Sequence, residues 1–173
     1  MRAPVGRLRF AALVLVSAIA VSARVARAQE PAALDPCAVL TAEDVESVVG
    51  EKSERRARAR RTDYGTMHAM VCTHRTPGWT VALHIERGRT AEEVEGYLKT
   101  LGVVVKQTTG APALTPVPGL GDRAWWGPIN PTSGILHVVK GTDIVWLQTH
   151  GKGKDAGTLP KTQQMMEKAL ARY

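Results

Sequence analysis

Met67-His68-Ala69-Met70-Val71-Cys72-Thr73-His74 gathers two imidazoles, two thioethers and a thiol within eight residues. In a β-strand successive side chains alternate, so His68, Met70, Cys72 and His74 would share one face. Thioether and imidazole donors together suit copper. Two facts weigh against a metal site. Same-face neighbours stand roughly 7 Å apart along a strand, which hinders one ion from touching several of them. A Cys72 held in a disulfide is also no thiolate ligand. Met70 as core filler, with His68 and His74 as strand-end polar groups, is the simpler account. His84, His137 and His150 show no ligand spacing and read as exposed strand residues.

Gly119-Leu120-Gly121-Asp122-Arg123-Ala124-Trp125-Trp126 is the second candidate. Its glycines permit a close approach of backbone or ligand. Asp122 and Arg123 place opposite charges beside an aromatic pair that could stack on a sugar or hold a peptide. Adjacent residues on a strand face opposite ways, so one of Trp125 and Trp126 is expected in the core. The other is then exposed or beneath a helix. Asp122 could also serve as a base, but an Asp after Gly at a turn usually caps its own backbone. The third candidate is the basic run Arg55-Arg56-Ala57-Arg58-Ala59-Arg60-Arg61. Arg56, Arg58 and Arg60 would share one face of a strand and could meet an anionic glycan, headgroup or acidic partner. The alternative is an exposed edge strand or loop kept soluble by its charge.

Hydrolysis needs a nucleophile, a base and an orienting group. Ser53 and Ser133 read as loop residues, and neither stands in a Gly-x-Ser-x-Gly elbow. Gly151 to Thr158 lacks the Gly-Lys-Thr order of a phosphate loop, and Cys72-Thr73-His74 lacks the first cysteine of a haem-attachment motif. The expectation is a protein without catalytic residues and without a cofactor.

The elements that would position these groups are well punctuated. Thr41 and Asp44 form a short capping box, Leu40 and Val45 a hydrophobic staple, and Gly50 a natural stop, which predicts a helix over 41–50. Met67 to Thr76 and Trp79 to Arg87 read as strands joined through Pro77-Gly78. In the second of them Trp79, Val81, Leu83 and Ile85 alternate with polar or small residues. Thr90 with Glu93 opens a second helix that Gly102 is expected to stop. Val103 to Lys106 reads as a short strand, and Thr108 to Pro118 as a loop. Arg123 to Trp126 enters a strand, Gly127 to Gly134 connects, and 135–140 with 143–149 form a hairpin through Gly141-Thr142. Pro160 suits the first turn of a last helix. The expected fold is α+β, a single mostly antiparallel sheet with three helices packed on it.

Arg2, Arg7 and Arg9 followed by the apolar run 10–23 and Ala26-Arg27-Ala28 read as a secretory signal over 1–28, leaving one domain over 29–173. The whole chain has 23 Lys+Arg against 16 Asp+Glu, but five arginines and no acids fall in 1–28, so the remainder carries only +2. That balance gives no case for nucleic acid. No membrane span is expected after cleavage. Phe10 is the only phenylalanine, so the core rests on aliphatic residues, methionine and four tryptophans. Two cysteines in an exported chain read as one disulfide, Cys37–Cys72; two free thiols are the alternative.

The Pro36–Thr41 start, the helix closing at Gly50, a second cysteine on a mid-chain strand and Gly119 to Trp125 together resemble a group of small exported bacterial proteins. Many of these are cell-envelope lipoproteins of unknown function with a PsbP-like α/β/α sandwich. This chain departs from them in lacking a lipobox cysteine. The group shares no catalytic residues, so the resemblance implies fold and compartment. The combined expectation is a periplasmic or secreted monomer, a non-catalytic binding or envelope-accessory module. Its partner would be an envelope protein, a glycan or a small ligand. A periplasmic copper-binding protein and a small hydrolase are the alternatives.

Overall fold

The computed structural model describes residues 34–54, 57–64, 67–109, 114–152 and 159–173. All belong to one unit, Ala33–Tyr173. The secretory signal expected over 1–28 lies outside the described residues. No helix among them is long and apolar enough to cross a membrane.

The chain enters through α1 (Pro36–Val39), a single turn capped by the Asp35 carboxylate on the Cys37 N–H at 2.9 Å. Next comes α2 (Ala42–Val49). Its capping box forms as expected: the Asp44 N–H donates to the Thr41 hydroxyl at 3.3 Å, and the Thr41 N–H to the Asp44 carboxylate at 3.0 Å. Gly50 closes the helix at φ 80°, a left-handed conformation that suits glycine. Then come β1 (Arg58–Tyr64), β2 (Met67–Arg75), β3 (Trp79–Arg87), α3 (Ala91–Thr109), β4 (Thr115–Pro116), β5 (Arg123–Asn130), β6 (Ser133–Lys140), β7 (Asp143–Gly151) and α4 (Leu159–Leu170).

The seven strands form one antiparallel sheet in the order β1-β2-β3-β7-β6-β5-β4. Two meanders, β1 to β3 and β4 to β7, are joined along a single seam between β3 and β7. The chain leaves β3, passes through α3 to the far edge, and winds back strand by strand.

Four helices are described where three were expected. The extra one is α1, which the Asp35 cap and Pro36 make just upstream of the helix expected over 41–50. The second helix also runs past Gly102 to Thr109, so Val103 to Lys106 is helical rather than a strand. Three valines are a context-dependent strand signal, and β3, the strand just before them, is already paired on both sides by β2 and β7. Gly102 does not take a positive φ, so nothing ends the helix there. The connection expected over 127–134 is shorter, because β5 continues through an irregularity between Pro128 and Asn130 and β6 already begins at Ser133. The loop expected over 108–118 contains the two-residue β4.

Alternation divides the side chains between two faces. On the first, Val81, Leu83 and Ile85 of β3 meet Val145 and Leu147 of β7 and Leu136 and Val138 of β6, all of them fully buried. Leu40, Val45, Met165, Met166 and Ala169, from the chain around α1, α2 and α4, complete this core. Each such side chain contributes about 1.5–3 kcal/mol through burial. The Cys37 and Cys72 sulfurs are bonded, with Cα atoms 5.1 Å apart, and fasten α1 to β2. Arg172 donates to the Asp44 carboxylate at 3.0 Å and so ties the end of α4 to α2. Burial works to raise the Asp44 carboxyl, but the bonds from Arg172 and Thr41 outweigh it and hold its pKa below the usual carboxylate range.

The second face is covered over part of its width. Val94 of α3 packs with Val139 and Ile144, and around them lie Tyr97, Leu98, Trp125 and Trp146.

Candidate functional site

The four residues Asp122, Arg123, Trp125 and Trp126 are engaged within the fold. Gly121 takes φ 54°, and a Cβ there would stand 2.5 Å from the Val139 carbonyl oxygen, so this approach requires glycine. Asp122 follows: its N–H donates to the Val139 carbonyl at 2.8 Å, and its carboxylate accepts from the Gly141 N–H at 2.6 Å, capping the β6–β7 hairpin. Arg123 pairs with Glu95 of α3 and lies 5.8 Å over the Trp125 ring. Trp125 is half-buried against α3 on the second face. Trp126 is 8% exposed in the first-face core, its indole lying over Gly134. One tryptophan is thus in the core and the other is beneath a helix.

The histidine-methionine strand places Met70, Cys72 and His74 in the buried layer. The His74 Nε2–H donates to the Leu40 carbonyl at 2.8 Å, and Nε2 is 3.3 Å from the Cys72 sulfur. Burial holds the His74 pKa below the ordinary histidine value. His68 lies at the surface with its Nδ1 2.7 Å from the Asp63 carboxylate. Cys72 is consumed by the disulfide and supplies no thiolate. Among the described residues, no group of three or more His, Cys, Asp or Glu is placed to hold a metal. Ser133, read as a loop residue, is buried at the start of β6.

The strand register assembles a row that no local reading of the chain contains. On the second face, Arg60 stands opposite Val71, Val71 opposite His84, His84 opposite Trp146, Trp146 opposite His137, and His137 opposite Trp125. His84 stacks on Trp146 with ring centroids 3.4 Å apart and planes within 7°. His137 flanks the same indole at 6.1 Å. Its Nδ1 meets the Tyr97 hydroxyl at 2.9 Å, while its buried Nε2 has no hydrogen-bond partner among the described residues. Burial lowers the pKa of both imidazoles to about 4, so both are neutral at pH 7. For His137 the neighbouring His84 adds to the effect.

α3 covers the Trp125–His137 end of this row. At the other end the face stays half-exposed through Val71, Thr73, Ala82, His84 and Gln148. Its rim is cationic. Arg58 and Arg60 are exposed on the outermost strand, and their register puts them on the second face, opposite in sense to Arg61, which pairs with Asp63. Neither Arg58 nor Arg60 forms an ion pair within the described residues. Arg56, the third member of the expected stripe, lies outside them.

A cleft of about 220 Å³ continues this half at the sheet end where the β2–β3 turn meets the end of β7. Arg75, Thr80, His150 and Lys152 line it, with Glu54 as the single acid. Its walls are held by backbone bonds: Glu54 N–H to Arg75 O at 2.9 Å, and Lys152 N–H to Gly78 O at 2.8 Å. The Glu51 carboxylate accepts from the Thr76 hydroxyl at 2.6 Å and the Gly78 N–H at 2.7 Å, which fixes the turn.

Sequence reasoning missed His84, Trp146 and the cleft. The only local signal was alternation, which marks His84 and Trp146 as residues opposite in sense to the core on their strands. What joins them is the β3–β7 pairing, across more than fifty residues of chain. No family model, curated protein or solved structure matches this chain, so its site is read from its own residues alone.

Proposed function

We propose that this protein is an exported, non-catalytic binding module of the cell envelope, and that it binds through the open half of the second sheet face. The observation that carries the reading is the rim of Arg58 and Arg60, without an ion pair among the described residues, beside a half-exposed face and a cleft lined by Arg75, His150 and Lys152. Charge without an ion-pair partner among the described residues, next to a cleft, suits recognition of a separate anionic molecule. The resemblance to PsbP-like envelope proteins and the bonded cysteine pair support the compartment. A non-catalytic role is supported by the histidines: His74 is committed to a backbone carbonyl and His137 to a tyrosine hydroxyl.

The second reading places binding at the Gly119–Trp126 end, and the contact of Arg123 with Trp125 favours it. The two separate in one experiment. Retention of the purified protein on isolated envelope material is measured at low and at physiological salt, for wild type, for Arg58→Ser with Arg60→Ser, and for Trp125→Ala. The proposed surface requires retention to fall with salt and with the arginine changes. Retention lost in Trp125→Ala but kept in the arginine pair refutes it.

A further inference from the structure

We infer that the open half of the second face takes a linear anionic glycan, a chain bearing uronate carboxylates. This inference rests on the binding-module reading and names its ligand class. Two cations rise from β1 at alternate positions, Arg58 and Arg60, on the side of the face. Inward from Arg58 the register runs through Thr73, Ala82 and Gln148. That is a hydroxyl, a methyl and an amide across four strands, roughly 14 Å of flat surface at the spacing of neighbouring strands. The small Ala82 leaves a shallow trough between the polar groups. Carboxylates at the rim and hydroxyls over the neutral centre are the pattern an acidic sugar chain carries.

The cleft extends the same surface, and Arg75 and Lys152 outnumber Glu54 there. Its volume of about 220 Å³ is below the roughly 300–1,000 Å³ of pockets for whole drug-sized ligands. It suits one unit of a longer chain.

Two other acidic occupants fit less well. An extended acidic peptide would pair its backbone with the free edge of β1, leaving Thr73 and Gln148 untouched. An anionic bilayer surface would call for exposed apolar anchors, and among the described residues the one exposed large apolar side chain is Val103 of α3.

The probe is oligogalacturonate, titrated calorimetrically into the purified protein at low and at physiological salt. Its methyl ester, polyglutamate and phosphatidylglycerol vesicles are run in parallel. Binding of the free acid but not of the ester is expected, weakening as salt rises. Arg58→Gln with Arg60→Gln should weaken it about tenfold or more, whereas Lys99→Gln with Lys168→Gln, which removes the same net charge elsewhere, should stay within about twofold. Circular dichroism of both pairs excludes misfolding as the cause. Equal binding of acid and ester, equal losses in the two variant pairs, or no binding of oligogalacturonate overturns the inference. Preferential binding of polyglutamate or vesicles that depends on Arg58 and Arg60 also overturns it, yet leaves the binding face in place. Envelope retention insensitive to those arginines removes the face itself.

Discussion

His137 should make the protein lose stability in mild acid. Its ring is 4% exposed, bonded through Nδ1 to Tyr97 and flanked by Trp146, with His84 beyond. Burial, with a smaller contribution from His84, lowers its pKa from 6.5 to about 4 in the folded state. The unfolded chain therefore takes up a proton below about pH 6.5 that the folded protein refuses until about pH 4. The full contribution is present above the unfolded value and is lost as the pH falls between the two. For His137 alone the loss reaches about 2–3 kcal/mol by about pH 4.5. His74 and His84, also lowered by burial, act in the same direction. Glu46 and Glu51, both held below 4.5, add at the bottom of the range. His137→Gln isolates the effect, since the amide can accept from Tyr97 but does not titrate here. Urea unfolding of both proteins is followed from neutral pH to about 4.5. The variant should start about 1–2 kcal/mol less stable through lost packing, and the gap should close by 2–3 kcal/mol as acid is added, to order of magnitude. A gap that stays constant with pH refutes the reasoning, as does a His137 ring proton that titrates near pH 6.5 by NMR.

The Cys37–Cys72 bond closes a loop across a sequence separation of 35, worth about 4 kcal/mol on the chain-entropy model. Cys37→Ser with Cys72→Ser should lower the urea midpoint accordingly, and two alkylatable thiols in the natively folded, unreduced protein would refute the bond. Gly134 lies where a Cβ would stand 2.2 Å from the Trp126 indole. Gly134→Ala should therefore cost about 1–3 kcal/mol by overpacking. Combining it with Trp126→Leu should cost less than the sum of the two changes; a strictly additive pair refutes the collision.

How much of this was legible in the chain depended on how local each cause was. α2 was readable because Thr41, Asp44 and Gly50 carry the whole of its punctuation within ten residues. β3 was readable because its burial alternates from Trp79 to Glu86. An exposed edge strand or loop was one of two readings of the arginine run; β1, outermost in the sheet, is the strand of that pair. α3 was misjudged at its end, since Gly102 stops a helix only with a positive φ, which it does not take, and β3 before it is already flanked by β2 and β7. The row from Arg60 to Trp125 was invisible for the same reason. Each member is placed by pairing register, and register between β3 and β7 is a long-range property. Asp122 was legible as a capping residue, but not that it caps the neighbouring hairpin across 19 residues.

The seam between β3 and β7 also governs the order in which an emerging chain can become whole. β1 to β3 can pair as soon as residue 87 is available, but β7 begins only at residue 143. Until then β3, the most regularly apolar strand of the sheet, shows a bare edge to whatever is nearby. A chain that emerges from its N-terminus thus has its centre unfinished until β7, which completes the seam, is available. Truncation just before residue 143 leaves β1 to β3 and β4 to β6 without the strand that joins them, so that β3 and β6 each keep an open, adhesive edge.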